Sequence, residues 1–242
     1  MNATLELSTP ANRRRAASFL PIPPTLAASG SIADIKTWCL DRANEWYGRG
    51  EFGAARDFLN HAAAVDPEDA QVWISLGSLH FELGCHEQAG LAFHMAGELT
   101  PTDARVFMHL GLVHVKLKHP EEAEVLFSHA VAVAPDDPLP RGLLGGWLIE
   151  NGRYTDARPQ IEHALLVQPN NLENLLRLGV CCFKTGDLVS ARRCYEHVLQ
   201  LKPGHGMAQV NLAAIDKLST SVGCLQYRTT RENLRLPPRQ RF

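Results

Sequence analysis

Residues 70–103 read AQVWISLGSLHFELGCHEQAGLAFHMAGELTPTD, and the chain writes this unit five times. Its closing proline recurs without insertion or deletion: Pro67, Pro101, Pro135, Pro169 and Pro203 are each 34 residues apart. Counting back from each proline gives units 36–69, 70–103, 104–137, 138–171 and 172–205. A fixed period of this length marks a stack of supersecondary units.

The units agree where two close-packed helices need them to agree. Position 8 is small: Ala43, Gly77, Gly111, Gly145 and Gly179. Position 20 is Ala55, Ala89, Ala123, Ala157 and Ala191. Position 24 is large, as Leu59, Phe93, Phe127, Ile161 and Tyr195. Position 27 is Ala62, Ala96, Ala130, Ala164 and Val198. Apolar residues return at three- and four-residue spacing, so each unit reads as two helices, A and B. Gly50, Gly84, Gly152 and Gly186 close helix A where the chain turns with positive φ; Lys118 replaces glycine in the third unit. The proline stops helix B. One unit cannot bury its apolar face alone, so the units must stack.

This pattern resembles the tetratricopeptide repeat, W-x-x-L-G … A-x-x-x-F … P, and Trp73-Ile74-Ser75-Leu76-Gly77 carries its opening. The resemblance covers residues 36–205. It implies an all-α, right-handed α-solenoid of five helix–turn–helix repeats. A further amphipathic helix, 206–218, has no B partner and reads as a capping element. Residues 32–218 are then the solenoid. Segments 1–31 and 219–242 read as disordered, the latter as a basic tail.

Composition narrows the function. The chain has 242 residues and a net charge of −2. The ends carry +2 (1–31) and +4 (219–242), which leaves −8 on the body and argues against a nucleic-acid groove. No apolar run approaches the ~20 residues of a membrane helix. The first 31 residues lack the ~7–15-residue apolar core of a secretory signal, and Pro21, Pro23 and Pro24 break any amphipathic transit helix. Six cysteines without C-x-x-C spacing read as reduced thiols, and the expected location is cytoplasmic. No phosphate loop, nucleophile elbow or carboxylate pair is present, so no enzyme activity, catalytic residue, cofactor or metal is expected. Four histidines share position 26 (His61, His129, His163, His197) as a solvent-facing column too widely spaced for zinc. His80 and His114, at position 11, read as packed and hydrogen-bonded.

The resemblance also implies a concave groove lined by A helices at positions 5, 9 and 12. In this chain these are Leu40, Asn44 and Tyr47; Ile74, Ser78 and Phe81; Met108, Leu112 and Val115; Gly142, Gly146 and Ile149; Leu176, Val180 and Phe183. Val210 and Ala214 of the capping helix extend the series, and Arg105 at position 2 is its positive candidate. Family members that clamp an acidic chaperone tail use Lys, Asn and Arg there. Asn44 matches, but Leu40, Ile74 and Met108 stand where the cations belong. The expected partner is therefore a protein or peptide offering hydrophobic anchors, held by a non-catalytic scaffold or chaperone. Alternatives stay open: a self-associating assembly module, a homo-oligomer through the same groove, self-occupancy by Phe19, Leu20 and Ile22, or a chaperone like those of type III secretion. The fourth repeat departs most, with Gly142, Gly145 and Gly146 in helix A and Pro159 expected to distort helix B. It reads as a gap for a ligand backbone, a hinge, or drift. Arg13–Ser18 resembles a basic-directed kinase site, and Leu236–Arg239 a polyproline segment.

Overall fold

The structure is a computed structural model and describes residues 31–218, with Pro23 as an isolated position. The expectations for the two terminal segments, including the kinase site, the folding-back of Phe19, Leu20 and Ile22, and the polyproline segment, lie outside the described residues. The described residues are all-α. Five helix pairs follow in order: α1 (Ile32–Gly48) and α2 (Phe52–Val65); α3 (Ala70–Glu82) and α4 (His86–Leu99); α5 (Ala104–Lys116) and α6 (Pro120–Val133); α7 (Pro138–Glu150) and α8 (Tyr154–Val167); α9 (Leu172–Lys184) and α10 (Leu188–Leu201). An eleventh helix, α11, runs over 206–218. The chain divides into two compact units, Met1–Pro135 with α1–α6 and Asp136–Phe242 with α7–α11.

A regular cap starts each A helix. Ser31, Asp69, Asp103, Asp137 and Asn171 accept from backbone N–H groups at the starts of α1, α3, α5, α7 and α9. The same place before α11 holds His205, whose Nδ1 accepts from Ala208 N at 3.4 Å. Each such side chain satisfies an otherwise orphaned donor. The A helices end at Gly50, Gly84, Gly152 and Gly186, all at positive φ, and at Lys118, which takes φ 62° despite its side chain.

Within a pair, the small residue of helix A seats the large residue of helix B. A Cβ on Gly77 would meet the Phe93 ring at 2.8 Å; one on Gly111 would meet Phe127 at 2.5 Å. In the second unit Gly145 faces Ile161 and Gly179 faces Tyr195 in the same way. The four large residues are buried, and so are the alanines at position 20 beside them. Within a unit, positions 3 and 10 of a following helix pack on the preceding pair. In the first unit Val106 and Val113 of α5 join Ala89, Phe93 and Ala96 of α4. In the second, Ala208 and Ile215 of α11 join Ala191, Tyr195 and Val198 of α10. α11 thus covers the last pair as a capping element does.

Pro159 does not break its helix. α8 runs unbroken over Tyr154–Val167 with Pro159 at its sixth residue. Proline forfeits one backbone hydrogen bond there. Ala157, Ile161 and Ala164, all fully buried on the opposite face, hold the helix in place.

Candidate functional site

The first unit carries a cleft of about 220 Å3 between α1 and α3. Helix spacing creates it, because successive A helices touch mainly through the B helix between them. Asn44 and Tyr47 line one wall and Ile74, Ser78 and Glu82 the other, with Ala55 and Leu59 of α2 at the base. Four expected groove residues (Asn44, Tyr47, Ile74, Ser78) therefore meet at one cleft. The Tyr47 hydroxyl donates to Glu82 Oε2 at 2.6 Å and ties the two walls together. That hydrogen bond, with desolvation behind it, pushes the phenol above its ordinary value of 10.

The walls are less greasy than the sequence suggests. Ile74 is 7% exposed and Met108 5%, because position 5 sits on the boundary between the groove face and the core. Ile74 packs with Phe93, Val106 and Leu110. Leu40 and Phe81 also lean on core clusters, while Leu112 and Val115 are half-buried. Exposed at the cleft are Asn44, Tyr47, Gln71 and Glu82, with Ser75 and Ser78 half-exposed. The floor is apolar and the rim polar. Arg105, the expected positive candidate, is held by Asp103 at 2.7 Å, which raises the guanidinium further and lowers the carboxyl below 3.8.

In the second unit the space over Gly142 and Gly146 is filled from within. Both glycines are buried. Arg177 of α9 lies across Gly146, where a Cβ would meet its guanidinium at 2.9 Å, and donates to the Gly142 carbonyl at 3.2 Å and Asn174 Oδ1 at 3.4 Å. Glu173 holds the other side of Arg177 at 2.5 Å. The glycines of the fourth repeat seat an arginine of the fifth; a position-6 side chain reaches over its neighbour, which a reading confined to positions 5, 9 and 12 misses. Ile149, Leu176, Val180 and Phe183 are half-buried. On α11, Met207 and Val210 are 59% and 68% exposed.

The position-26 histidines are not a uniform solvent-facing column. His61 is buried, His163 and His197 are half-buried, the latter paired with Asn170 Oδ1 at 3.2 Å, and His129 is exposed, its ring tilted against Phe107 with centroids 4.2 Å apart. His80 and His114 are packed as expected, but Nδ1 of each is shielded and has no hydrogen-bond partner among the described residues. Cys39, Cys85, Cys181, Cys182 and Cys194 are free thiols. Burial pushes Cys181 to about 11 and Cys194 to about 12, so these remain protonated and unreactive at neutral pH. Among the described residues no group of three or more His, Cys, Asp or Glu could hold a metal ion. No helix there is long and apolar enough to cross a membrane.

Helix pairs of fixed length, each A helix seating its own B helix and successive pairs of a unit packing together, define a tandem-repeat interaction protein. The chain belongs to the tetratricopeptide-repeat family: models of that repeat match residues 40–104, 104–137 and 148–215. Comparison with curated proteins gives no significant match. Among solved structures the chain is similar to PilF of Pseudomonas aeruginosa, at 22% identity, covering 77% of this chain and 83% of that one with a TM-score of 0.63. It is similar to MamA of Desulfovibrio magneticus at 20% identity, over 73% and 99% of the two chains, TM-score 0.63. YrrB, described as a TPR protein with an unusual peptide-binding site, matches at 22% identity over 71% and 88%, TM-score 0.57. At these identities the likeness is one of fold. Tetratricopeptide-repeat proteins are, as a class, non-catalytic scaffolds for protein–protein interaction.

Proposed function

We propose that this chain is a scaffold that holds an extended segment of a partner protein against its A helices. The supporting observation is the cleft between α1 and α3, where Asn44, Tyr47, Ile74 and Ser78 converge. Its amide and hydroxyl groups suit the main chain of an extended peptide, and its apolar floor (Ile74, Leu79, Leu59) suits one small hydrophobic anchor. Further anchors would rest on Leu176, Val180 and Phe183, the half-buried A-helix residues of the second unit. The free thiols suit a reducing compartment such as the cytoplasm.

The test is selection of peptides from a displayed random library on the full chain, followed by affinity measurement on Ser78→Arg, which fills the cleft without entering the core. The expected outcome is loss of binding by tenfold or more for Ser78→Arg and little change for Val189→Arg on α10, which is exposed. Selected peptides that bind both variants like the parent would overturn the reading. A second reading, self-association, is favoured by the exposed Met207 and Val210 of α11. Sedimentation across concentration, before and after Val210→Glu, decides it.

A further inference from the structure

Position 11 lies on one face of every A helix. In the second unit this place holds Leu148 and Cys182, both buried and neither changing charge between pH 5 and 7. In the first unit the second and third repeats place His80 and His114 there. Nδ1 of each ring is shielded and meets no partner. A neutral imidazole tolerates this, because Nδ1 is then a bare acceptor. An imidazolium does not, because both ring nitrogens must donate.

The surroundings oppose a positive charge. Arg56 of α2 faces His80. The ring of His119, in the α5–α6 turn, lies 5.6 Å from that of His114, and His94 of α4 also faces it; Glu122 of α6 is the opposing charge. Burial first, and then Arg56 beside His80 and the neighbouring imidazoles beside His114, hold both rings below 6.5, with Glu122 pulling His114 partly back. A third imidazole, His109 of α5, is stacked flat on Phe93 of α4 at 4.8 Å, so it too sits at the joint between the second and third repeats. Burial and then Arg105 hold it low, against Asp103.

We infer that the first unit contains an acid-sensitive clasp: protonation of His80 and His114 loosens α3–α6, while the second unit, with Leu148 and Cys182 in their place, stays closed. The opened state takes up protons that the folded state refuses, so stability is intact above pH 6.5 and falls as pH drops through that value. Between pH 6.5 and 5.5, each histidine still neutral in the fold multiplies the opening constant by about 5.5, so the pair gives roughly 30-fold. The α1–α3 cleft belongs to the same unit, so acid would also release its occupant; that consequence alone rests on the reading of the cleft given above.

The experiment is amide hydrogen exchange on the full, unliganded chain from pH 7.5 to 5.5, corrected for intrinsic exchange. Protection in α3–α6 should fall by up to about 100-fold beyond the correction, roughly 30-fold of it below pH 6.5, while α9 and α10 hold theirs. His80→Leu/His114→Leu, which installs the residue of the fourth repeat, should cut the fall to the part that His109 carries, at most about tenfold. Equal loss in both units, no loss in either, or an undiminished loss in the double variant would each overturn the inference. Imidazole NMR of the unsubstituted protein is an independent check: His80 and His114 titrating below 6.5 support it, and titration at 6.5 or above sinks it.

Discussion

Replacing Gly111 by alanine sets two known effects against each other. In the middle of a helix the change should stabilise by about 1 kcal/mol, since glycine has that disadvantage against alanine. In the fold, however, the new Cβ would lie 2.5, 2.7 and 3.0 Å from three atoms of the Phe127 ring. Ordinary carbon contacts are ~3.5–4.0 Å, so the ring must retreat by about 1 Å. Phe127 is 1% exposed and has nowhere to go without moving α6. Overpacking of this kind costs ~1–3 kcal/mol, and the upper end applies where backbone must shift. The net expectation is destabilisation by roughly 1–2 kcal/mol. Gly90 of α4 is the control, because a Cβ there meets only Val113 Cγ1, at 3.5 Å. Gly90→Ala should therefore stabilise by roughly 0.5–1 kcal/mol. Tryptophan emission during urea unfolding reads the first unit, which holds three of the four tryptophans (Trp38, Trp46 and Trp73). Restoring space with Gly111→Ala/Phe127→Leu should cost less than the two single changes summed. A Gly111→Ala midpoint equal to or above that of the parent would refute the seat as the reason for glycine at position 8.

Lys118 holds a left-handed conformation that four other repeats give to glycine. Lys118→Gly should stabilise by roughly 0.5–1 kcal/mol, the relief of strain less the added freedom of the unfolded chain, and a lowered melting midpoint would contradict it. Lys36 bridges Asp66 and Asp69 at 2.8 and 2.7 Å, and Asp69 also caps α3. Burial tends to raise the Asp69 carboxyl, but the Lys36 ammonium and the N–H groups of Gln71 and Val72 outweigh it and hold it below 3.8. A depressed carboxyl stabilises above its unfolded value and loses that contribution as pH falls through 3.8 to its folded value. Lys36→Met should accordingly cost about 1 kcal/mol near pH 7 and progressively less below pH 4, as read by thermal unfolding across pH; a penalty independent of pH would exclude the ion pairs as its cause.

The repeat itself was legible because packing imposes it locally. Each proline stops a helix, each glycine or alanine at position 8 faces a bulky residue 16 places on, and both constraints survive in one dimension as a period of 34. The caps at Asp69, Asp103, Asp137 and Asn171 obey the same period and were equally readable, though attention to apolar positions passes over them. The cleft was legible only in part. Asn44, Tyr47, Ile74 and Ser78 do converge on one cleft, since their spacing fixes the face of a helix. Whether that face is open depends on what neighbouring helices lay over it.

Sequence periodicity alone thus determined the helices, their pairing and which side chains share a face, because those follow from 3.6 residues per turn and a constant repeat. Only the tertiary structure decided how much of each side chain remains for a partner. Ile74 and Met108 sink into the core, Arg177 from the next repeat covers Gly142 and Gly146, and the shielded Nδ1 atoms of His80 and His114 become visible only once two helices close over them. Exposure is a property of the space between elements, and no spacing within one helix encodes it.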